Sequence, residues 1–227
     1  MHEQALNTRR VVPTLVAMNV DGDAARREVE AFIHDHFAMV HGADIRSYLP
    51  GLMSLRSDDG RLLGALGLRP ATGNRLFLEN YLDQPIDQAL ATALRAPVDR
   101  DGLVEVGNLA VGAPGGGRWL ITALTAFLHA AHKDWAVFTC GPRLRNAFTR
   151  LGIELVDLGP AAIERLPDGE AAHWGDYYEQ GPHVMAARVE QSHEVLSRLF
   201  QQECALTALW RHADEAGRHA HCGMRAA

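Results

Sequence analysis

The sequence predicts an α/β (α+β) fold in which a mixed central sheet is flanked by helices and followed by a C-terminal helical extension. Patterns typical of strands and helices alternate along most of the chain, which is characteristic of this class. The stretch Leu103 to Ala131 reads as strand, glycine turn and helix. The chain has 227 residues, of which 47% are hydrophobic, so it can bury one sizeable core. We expect a main domain over 11–189 and a C-terminal helix and tail over 190–227.

The centre of the fold is predicted between Leu103 and Thr139. Residues Leu103 to Val111 are apolar and partly β-branched, as in a buried strand. The next segment, GAPGGG, combines a proline with four glycines and cannot form regular structure. The helix that follows has one apolar face and leads into Trp135 to Thr139, a strand that we expect to run parallel to the first. A glycine turn at a helix start suits a phosphate, although a tight turn alone also explains it.

The other elements follow from the same patterns. Strands are predicted at Val11 to Val20, Leu52 to Leu55, Leu62 to Leu68, Ile153 to Leu158 and His183 to Val189. Helices are predicted after Asp21 or Asp23, from Pro85 to about Leu94, from Arg143 to Leu151 with Gly152 as the residue that ends it, and from about Gln191 to His212. The segment Leu76 to Leu82 reads as a short buried element. Pro160 to Pro182 is irregular and rich in aromatic residues, which either fold back onto the body or line a cleft.

Composition excludes several classes of protein. A net charge of -6 argues against nucleic acid as the main partner. No apolar run is long enough to cross a bilayer, and the first ten residues lack the apolar core of a secretory signal, so we expect a cytoplasmic protein without a transmembrane segment. Three widely spaced cysteines indicate neither disulfides nor a metal site. His34, Asp35 and His36 are consecutive on a helix and cannot converge on one metal, but His36 lies beside the apolar stripe and either fills space or lines a site.

Several motifs carry a resemblance to known acyltransferases. The segments RLLGALGLRPATG, RLFLENYLDQPI and VEVGNLAV resemble acyl-homoserine-lactone synthases, a branch of the Gcn5-related acyltransferase superfamily. The segments FLENYLDQPI, EVGNLA, TRLGIELVDLGPA, RLPDG and WGDYYEQGPHVMA resemble the thermostable hemolysin family. This resemblance covers Phe32 to Val189. It implies a sheet whose central strand splays away from its neighbour.

The resemblance also implies an acyl-CoA or acyl-carrier-protein thioester as co-substrate and assigns residues to it. The pantetheine arm would lie along Leu109, Ala110 and Val111, and the pyrophosphate would be held by Gly115, Gly116, Gly117, Arg118 and Trp119. The tyrosine that protonates the departing thiolate in this superfamily falls at Phe148, which cannot donate a proton. Glu105 matches a glutamate of the lactone synthases, whereas Asn108 stands where those enzymes have an arginine.

Glu105 is also the leading catalytic candidate on its own chemistry. A carboxylate inside an apolar strand is expensive to bury without a partner, and burial would raise its pKa toward that of a useful base. The alternative is a structural pair with Arg69 or Arg143. Glu79 is the second candidate, with helix capping or a surface pair as its alternative. Asn80, Tyr81 and Asn108 either orient an acceptor or tie loops together, and these alternatives stay open here.

The sequence therefore predicts an acyltransferase that moves an acyl group from a CoA or carrier-protein thioester to a small amine. Two alternatives remain: a lipid- or membrane-active protein, as the family name suggests, and an acyl-thioester-binding module without chemistry.

Overall fold

The computed structural model describes residues 12–112, 116–200 and 204–224. Its strands are β1 (Leu15–Asn19), β2 (Gly51–Arg56), β3 (Leu62–Pro70), β4 (Leu103–Val111), β5 (Trp135–Cys140), β6 (Val156–Pro160) and β7 (His183–Arg188). Its α-helices are α1 (Arg26–His41), α2 (Ile86–Leu94), α3 (Gly116–Ala130), α4 (Pro142–Arg150), α5 (Val189–Phe200) and α6 (Cys204–Met224). Short 3₁₀ turns lie at Phe77–Tyr81, Arg100–Gly102, Ile163–Arg165, Ala171–His173 and Tyr177–Gln180. No helix within these residues is long and apolar enough to cross a membrane.

The strands form one mixed sheet in the order β1-β2-β3-β4-β5-β7-β6. All neighbouring pairs are antiparallel except β4 and β5, which are parallel and connected through α3. This confirms the predicted fold class, and the boundaries predicted for β4 are confirmed at both ends. The parallel pair at the centre is the feature that positions the site.

Strands β4 and β5 separate halfway along β4. They pair from Leu103 with Trp135 to Val106 with Phe138, and beyond that point β4 continues to Val111 while paired with β3 alone. β5 pairs with β7 along its whole length instead. In the described part of the chain, the edge of β4 after Val106 therefore faces a gap rather than another strand.

The sheet has two covered faces that differ in chemistry. On the α3 face, Val104 and Val106 pack in a core with α3, α4, α5 and α6. On the α1 face, Leu103 packs against α2 and the turn Phe77–Tyr81, and Ala110 packs against α1. Glu105 alternates with Val104 and Val106 and so lies on the α1 face. One carboxylate thus interrupts the apolar run from Leu103 to Val106 in the central strand.

Three local expectations were wrong. Asp21 or Asp23 was expected to cap α1, but α1 begins at Arg26 after Ala25, which makes no capping hydrogen bond with its side chain. Asp23 instead accepts a hydrogen bond from Val20 N in the preceding turn. β6 begins at Val156 rather than at residue 153, because Gly152 adopts φ 74° and the amide of Ile153 bonds back to Phe148 O, which ends α4.

The C-terminal region contains two helices, α5 and α6, where one helix and a frayed tail were expected. α6 packs onto α3 through small residues at helical spacing, including Ala213 and Ala216. At Gly217 a Cβ atom would lie 2.3 Å from Phe127 O, so the two helices approach more closely than any side chain would permit. Alanine and glycine do not read as an apolar stripe, which is why the sequence did not reveal this contact.

Candidate active site

A cavity of about 260 Å³ opens where β4 and β5 separate. Its walls come from both faces of the sheet, because the gap between the strands joins them. Glu105, Arg69 and Thr139 border it on the α1 face. The side chains on the α3 face are apolar except for Arg143 on α4, and the apolar ones are Leu66, Val106, Ile121, Leu124, Phe138, Leu144 and Phe148.

A β-bulge shapes the free edge of β4 beside this cavity. Gly107 pairs with Gly67 and Ala110 pairs with Ala65, so Asn108 and Leu109 together lie opposite Leu66. An extra residue bends and twists a strand, which directs β4 away from β5. Leu109 lines the cavity, whereas Ala110 is fully buried toward α1.

Asn108 holds the bulge with its backbone and its side chain. Its φ is 50°, in the left-handed region that asparagine tolerates better than most residues. Its Oδ1 accepts a hydrogen bond from Leu49 N at 2.9 Å, and its Nδ2 donates to Ser47 O at 3.3 Å. Both ends of the amide are therefore occupied. Of the two predicted roles, the contacts match tying a loop to β4 rather than orienting an acceptor.

Glu105 is the buried carboxylate of the cavity. It is 3% exposed, and its Oε1 accepts from Leu78 N at 2.8 Å while its Oε2 accepts from Phe77 N at 3.1 Å. Arg69 Nη1 lies 3.4 Å from Oε2. Burial raises the pKa of Glu105 more than these bonds and the arginine lower it. Both predicted alternatives meet here, because the side chain is paired with Arg69 and also faces the cavity.

Glu79 lies elsewhere and has the contacts of a structural cap. It accepts hydrogen bonds from Leu76 N and Ile86 N, both at 2.9 Å, and forms an ion pair with Arg100 at 2.7 Å. Burial works against the charge, but these contacts outweigh it and lower the pKa of Glu79. The residue borders a shallow surface hollow with Asp87 and not the cavity. These contacts match the capping alternative, and a role for Glu79 as a base stays a prediction.

Asn80 and Tyr81 also point away from the cavity. Asn80 Oδ1 accepts from Arg75 at 3.3 Å, and its carbonyl accepts from Arg165 at 3.1 Å. The hydroxyl of buried Tyr81 contacts the hydroxyl of Tyr178, and burial raises the pKa of Tyr81. These contacts join the turn Phe77–Tyr81 to the later irregular segment, as the loop-tying alternative expects.

The predicted phosphate turn is described only in part. Gly115 lies outside the described residues, and Gly116 and Gly117 belong to the first turn of α3 rather than to the loop. At Gly116 a Cβ atom would approach Val111 Cγ1 to 2.5 Å, so close packing of α3 on β4 requires glycine there. Gly117 has open space around it, and Arg118 beside it is exposed. Phosphate binding by this turn stays a prediction.

A family model described as thermostable hemolysin matches residues 20–193, which is most of the chain. The chain belongs to the thermostable hemolysin family. No curated protein matches it.

Solved structures similar to this hemolysin-family protein share its fold at low identity. LasI, an AHL synthase, is 15% identical with a TM-score of 0.50, over 77% of this chain and 89% of LasI. BjaI, a CoA-dependent acyl-homoserine lactone synthase solved with SAM and isopentyl-CoA, is 14% identical with a TM-score of 0.51, over 87% of this chain and 98% of BjaI. FeeM, an N-acyl amino acid synthase from uncultured soil microbes, is 13% identical with a TM-score of 0.51, over 78% of this chain and 92% of FeeM. The acyltransferase-like fold is thereby confirmed.

The irregular segment Pro160 to Pro182 of this hemolysin-family protein forms an aromatic wall of the cavity. From the sequence, its aromatic residues were expected either to fold back onto the body or to line a cleft. Trp174 and Tyr177 both line the cavity, and Trp174 lies 6.1 Å from Phe37 and 5.8 Å from Phe77 between ring centres. At Gly175, where φ is 52°, a Cβ atom would meet the carbonyl of the last residue of α1 at 1.8 Å. The segment therefore folds back onto α1 and lines the cleft as well.

The sequence did not reveal one pair of hydroxyl groups at the cavity, those of Tyr177 and Thr139. It did identify Phe148 as a position without a proton donor. Tyr177 OH lies 3.0 Å from Thr139 Oγ1, and both border the cavity. Phe148 is buried and stacked on Phe138 at 5.0 Å between ring centres, so the wall of the cavity next to α4 offers a bare ring. A period-two pattern from Trp135 could have placed Thr139 on the α1 face, but the approach of Tyr177 needed the tertiary fold.

Proposed function

We propose that this thermostable hemolysin family member transfers an acyl group from a pantetheine thioester, on CoA or on an acyl carrier protein, to a small amine. The observation that carries the proposal is the junction at the strand split. One wall of the cavity is a strand edge without a partner strand in the described chain, and another contains a buried carboxylate. These are the parts needed to hold an extended donor and to activate an acceptor.

The donor would lie in the gap between the strands. Main-chain groups from Gly107 to Val111 would bond the pantetheine amides as an added strand does. The phosphates would then lie toward the start of α3, where helix amides and Arg118 favour negative charge. A donor of this kind is found in the cytoplasm, which is where we place the protein.

The two faces of the cavity suggest where each half of the reaction lies. The apolar walls on the α3 face, which include Ile121 and Leu124, suit an acyl chain. The polar groups, Glu105 and Thr139, lie on the α1 face and suit an amine. An amine arrives as an ammonium at neutral pH and must lose a proton before it attacks. A carboxylate whose pKa is raised by burial is a suitable acceptor for that proton.

The similar structures support this direction without settling the substrate. FeeM is an N-acyl amino acid synthase and BjaI is a CoA-dependent acyl-homoserine lactone synthase. Both proteins have a fold similar to that of this chain. An acceptor like that of the lactone synthases is less favoured, because Asn108 stands where those enzymes have an arginine and its amide is already engaged.

The test measures transfer directly. Purified protein is given octanoyl-CoA carrying an isotopic label in its acyl group, together with a mixture of amino acids and polyamines, and labelled amides are detected by mass spectrometry. Glu105→Gln should lower kcat by about 100-fold or more, since it removes the base. Glu164→Gln, at an exposed glutamate, is the matched control and should leave the rate unchanged. A full rate from Glu105→Gln would exclude this carboxylate as the base.

One alternative has an observation in its favour. Phe148 removes the proton donor of the superfamily, which is what a module that binds thioesters without chemistry would show. Calorimetric binding of octanoyl-CoA with no labelled product from any amine would support that module. Leakage from liposomes without an acyl donor, and undiminished in Glu105→Gln, would instead support direct membrane activity.

A further inference from the structure

The proposed reaction moves two protons, and Glu105 accounts for one of them. The first leaves the incoming ammonium and goes to the carboxylate. The second is on the attacking nitrogen when the C–N bond forms, and it must leave as the C–S bond breaks and the thiolate departs. In this superfamily a tyrosine serves the thiolate, but here that position is Phe148. Solvent or another group beside the cavity must serve, and this reasoning rests on the proposed function.

Most ionisable groups around the cavity are unsuited to that step. Arg69 and Arg143 do not give up protons at neutral pH. Burial raises the pKa of Tyr48 and of Tyr177, and the Tyr177 hydroxyl is also bonded to Thr139. His41 Nδ1 is engaged with Asp176 at 3.0 Å.

Among the groups that line the cavity, His36 suits this step best. It lies on α1, borders the cavity and is half-buried, with its ring edge-on to Phe37 at 6.2 Å between ring centres. Neither ring nitrogen has a hydrogen-bond or ion-pair partner among the described residues. Burial, helped by the neighbouring His41, lowers the pKa of His36, so the ring is neutral at pH 7 and can both accept and return a proton.

The position of His36 along α1 matches the path of the donor. One turn earlier, the ring of Phe32 lies where a Cβ of Gly112 would meet it at 3.1 Å, at the end of β4 next to the predicted phosphate turn. One turn later, Val40 and His41 line the same cavity. His36 thus lies between the phosphate end of the donor path and the wall formed by Tyr177.

We propose that His36 is the proton relay of this site. Its neutral imidazole takes the second proton from the nitrogen as the C–N bond forms, and the imidazolium returns that proton to the thiolate sulfur as the C–S bond breaks. The products are an amide and a free thiol, and His36 ends neutral, as it began. No oxidant, metal or further reactant is required.

The test compares two donors that carry the same acyl group on different thiols. Octanoyl-CoA releases an alkyl thiolate that needs a proton, whereas S-phenyl thiooctanoate releases a much more acidic aryl thiol that does not. His36→Gln should lower kcat for amide formation from octanoyl-CoA by about 100-fold and from the phenyl thioester by only about 10-fold, because the nitrogen still loses a proton there but the aryl thiolate does not need one. His34→Gln, two residues away, exposed to solvent and paired with Asp44, is the matched control and should retain both rates.

The outcomes separate this inference from the proposed function. Equal losses from both donors would overturn the relay, since a role in folding or binding does not depend on the leaving group. Absence of amide from octanoyl-CoA with the wild-type protein would overturn the proposed function and the relay with it. His36→Asn serves as a second variant, and calorimetric binding of CoA with wild-type affinity identifies the variants that remain folded.

Discussion

Asn108→Ala should destabilise the protein more than Asn108→Gly, which reverses the usual order of these residues in a strand. The reason lies in the bulge of β4. Residue 108 has a φ of 50°, where a Cβ atom is strained, and its side-chain amide joins β4 to residues 47 and 49. Leu49 in turn fills the space left by two glycines, because a Cβ on Gly67 or Gly107 would lie 2.8 Å or 3.2 Å from its side chain.

The magnitude follows from two contributions. Either substitution removes both hydrogen bonds of the amide, at a cost of about 1 kcal/mol each in net terms. Alanine then pays about 1–2 kcal/mol for the left-handed backbone, which glycine adopts freely. In an ordinary strand glycine is the less stable of the two by roughly 0.5–1 kcal/mol. We therefore expect a loss of about 3 kcal/mol for Asn108→Ala and a smaller loss for Asn108→Gly.

Urea unfolding followed by circular dichroism gives the free energy of unfolding of both variants. Loss of the Asn108 amide should release the segment at Leu49, which lines the cavity, and so weaken donor binding. Calorimetric titration of both variants with CoA measures this effect. If alanine proves as stable as glycine at position 108, the backbone there is not left-handed. That result would contradict the β-bulge at residue 108 and its role in directing β4 away from β5.

Two further predictions concern other charged groups. Glu79→Gln should lower the free energy of unfolding by about 2 kcal/mol, because an amide cannot replace the carboxylate that binds Arg100 and two backbone N–H groups. The kcat of the folded variant should stay within about twofold of wild type. A large loss of kcat would restore Glu79 as a candidate base. His193 stacks on His129 at 3.6 Å between ring centres, and burial followed by the charge of His129 lowers its pKa. The native state then binds fewer protons than the unfolded state, so stability falls as the pH drops through the unfolded pKa of about 6.5. His193→Gln should flatten that fall in urea titrations at several pH values, and parallel curves for variant and wild type would contradict it.

The sequence predicts the central elements well because their signals are local. An apolar, β-branched run sets β4, and a helix between two such runs makes the parallel neighbour β5 the simplest arrangement. Gly152 ends α4 as predicted, since only a left-handed residue satisfies the last carbonyls. The split between the strands is different, because nothing in either strand states how far their pairing extends. It was available only through the resemblance to known acyltransferases.

The roles of the site residues stay predictions, and even their contacts could be read from the sequence only in part, because the partners lie far apart along the chain. The cost of burying Glu105 can be read from its apolar neighbours, but the amides that hold it come from Phe77 and Leu78, more than two dozen residues earlier. Glu79 was the second candidate for a base, with capping or a surface pair as its alternative, and only the fold brings Arg100 to it. His36 was singled out beside an apolar stripe, although no local pattern could show that the stripe borders a cavity.

The contacts of Glu105 limit the geometry of the chemistry proposed for it. An ionised carboxylate offers about four acceptor positions, and Leu78 N, Phe77 N and Arg69 occupy three of them. Roughly one position is left, and the side chain borders the cavity, so an ammonium would meet a single lone pair in a fixed direction. The same bonds offset part of the cost of burying a charge on a side chain that is 3% exposed. A carboxylate held this way would take a proton without moving, and the second proton of the reaction would have to travel through a different group.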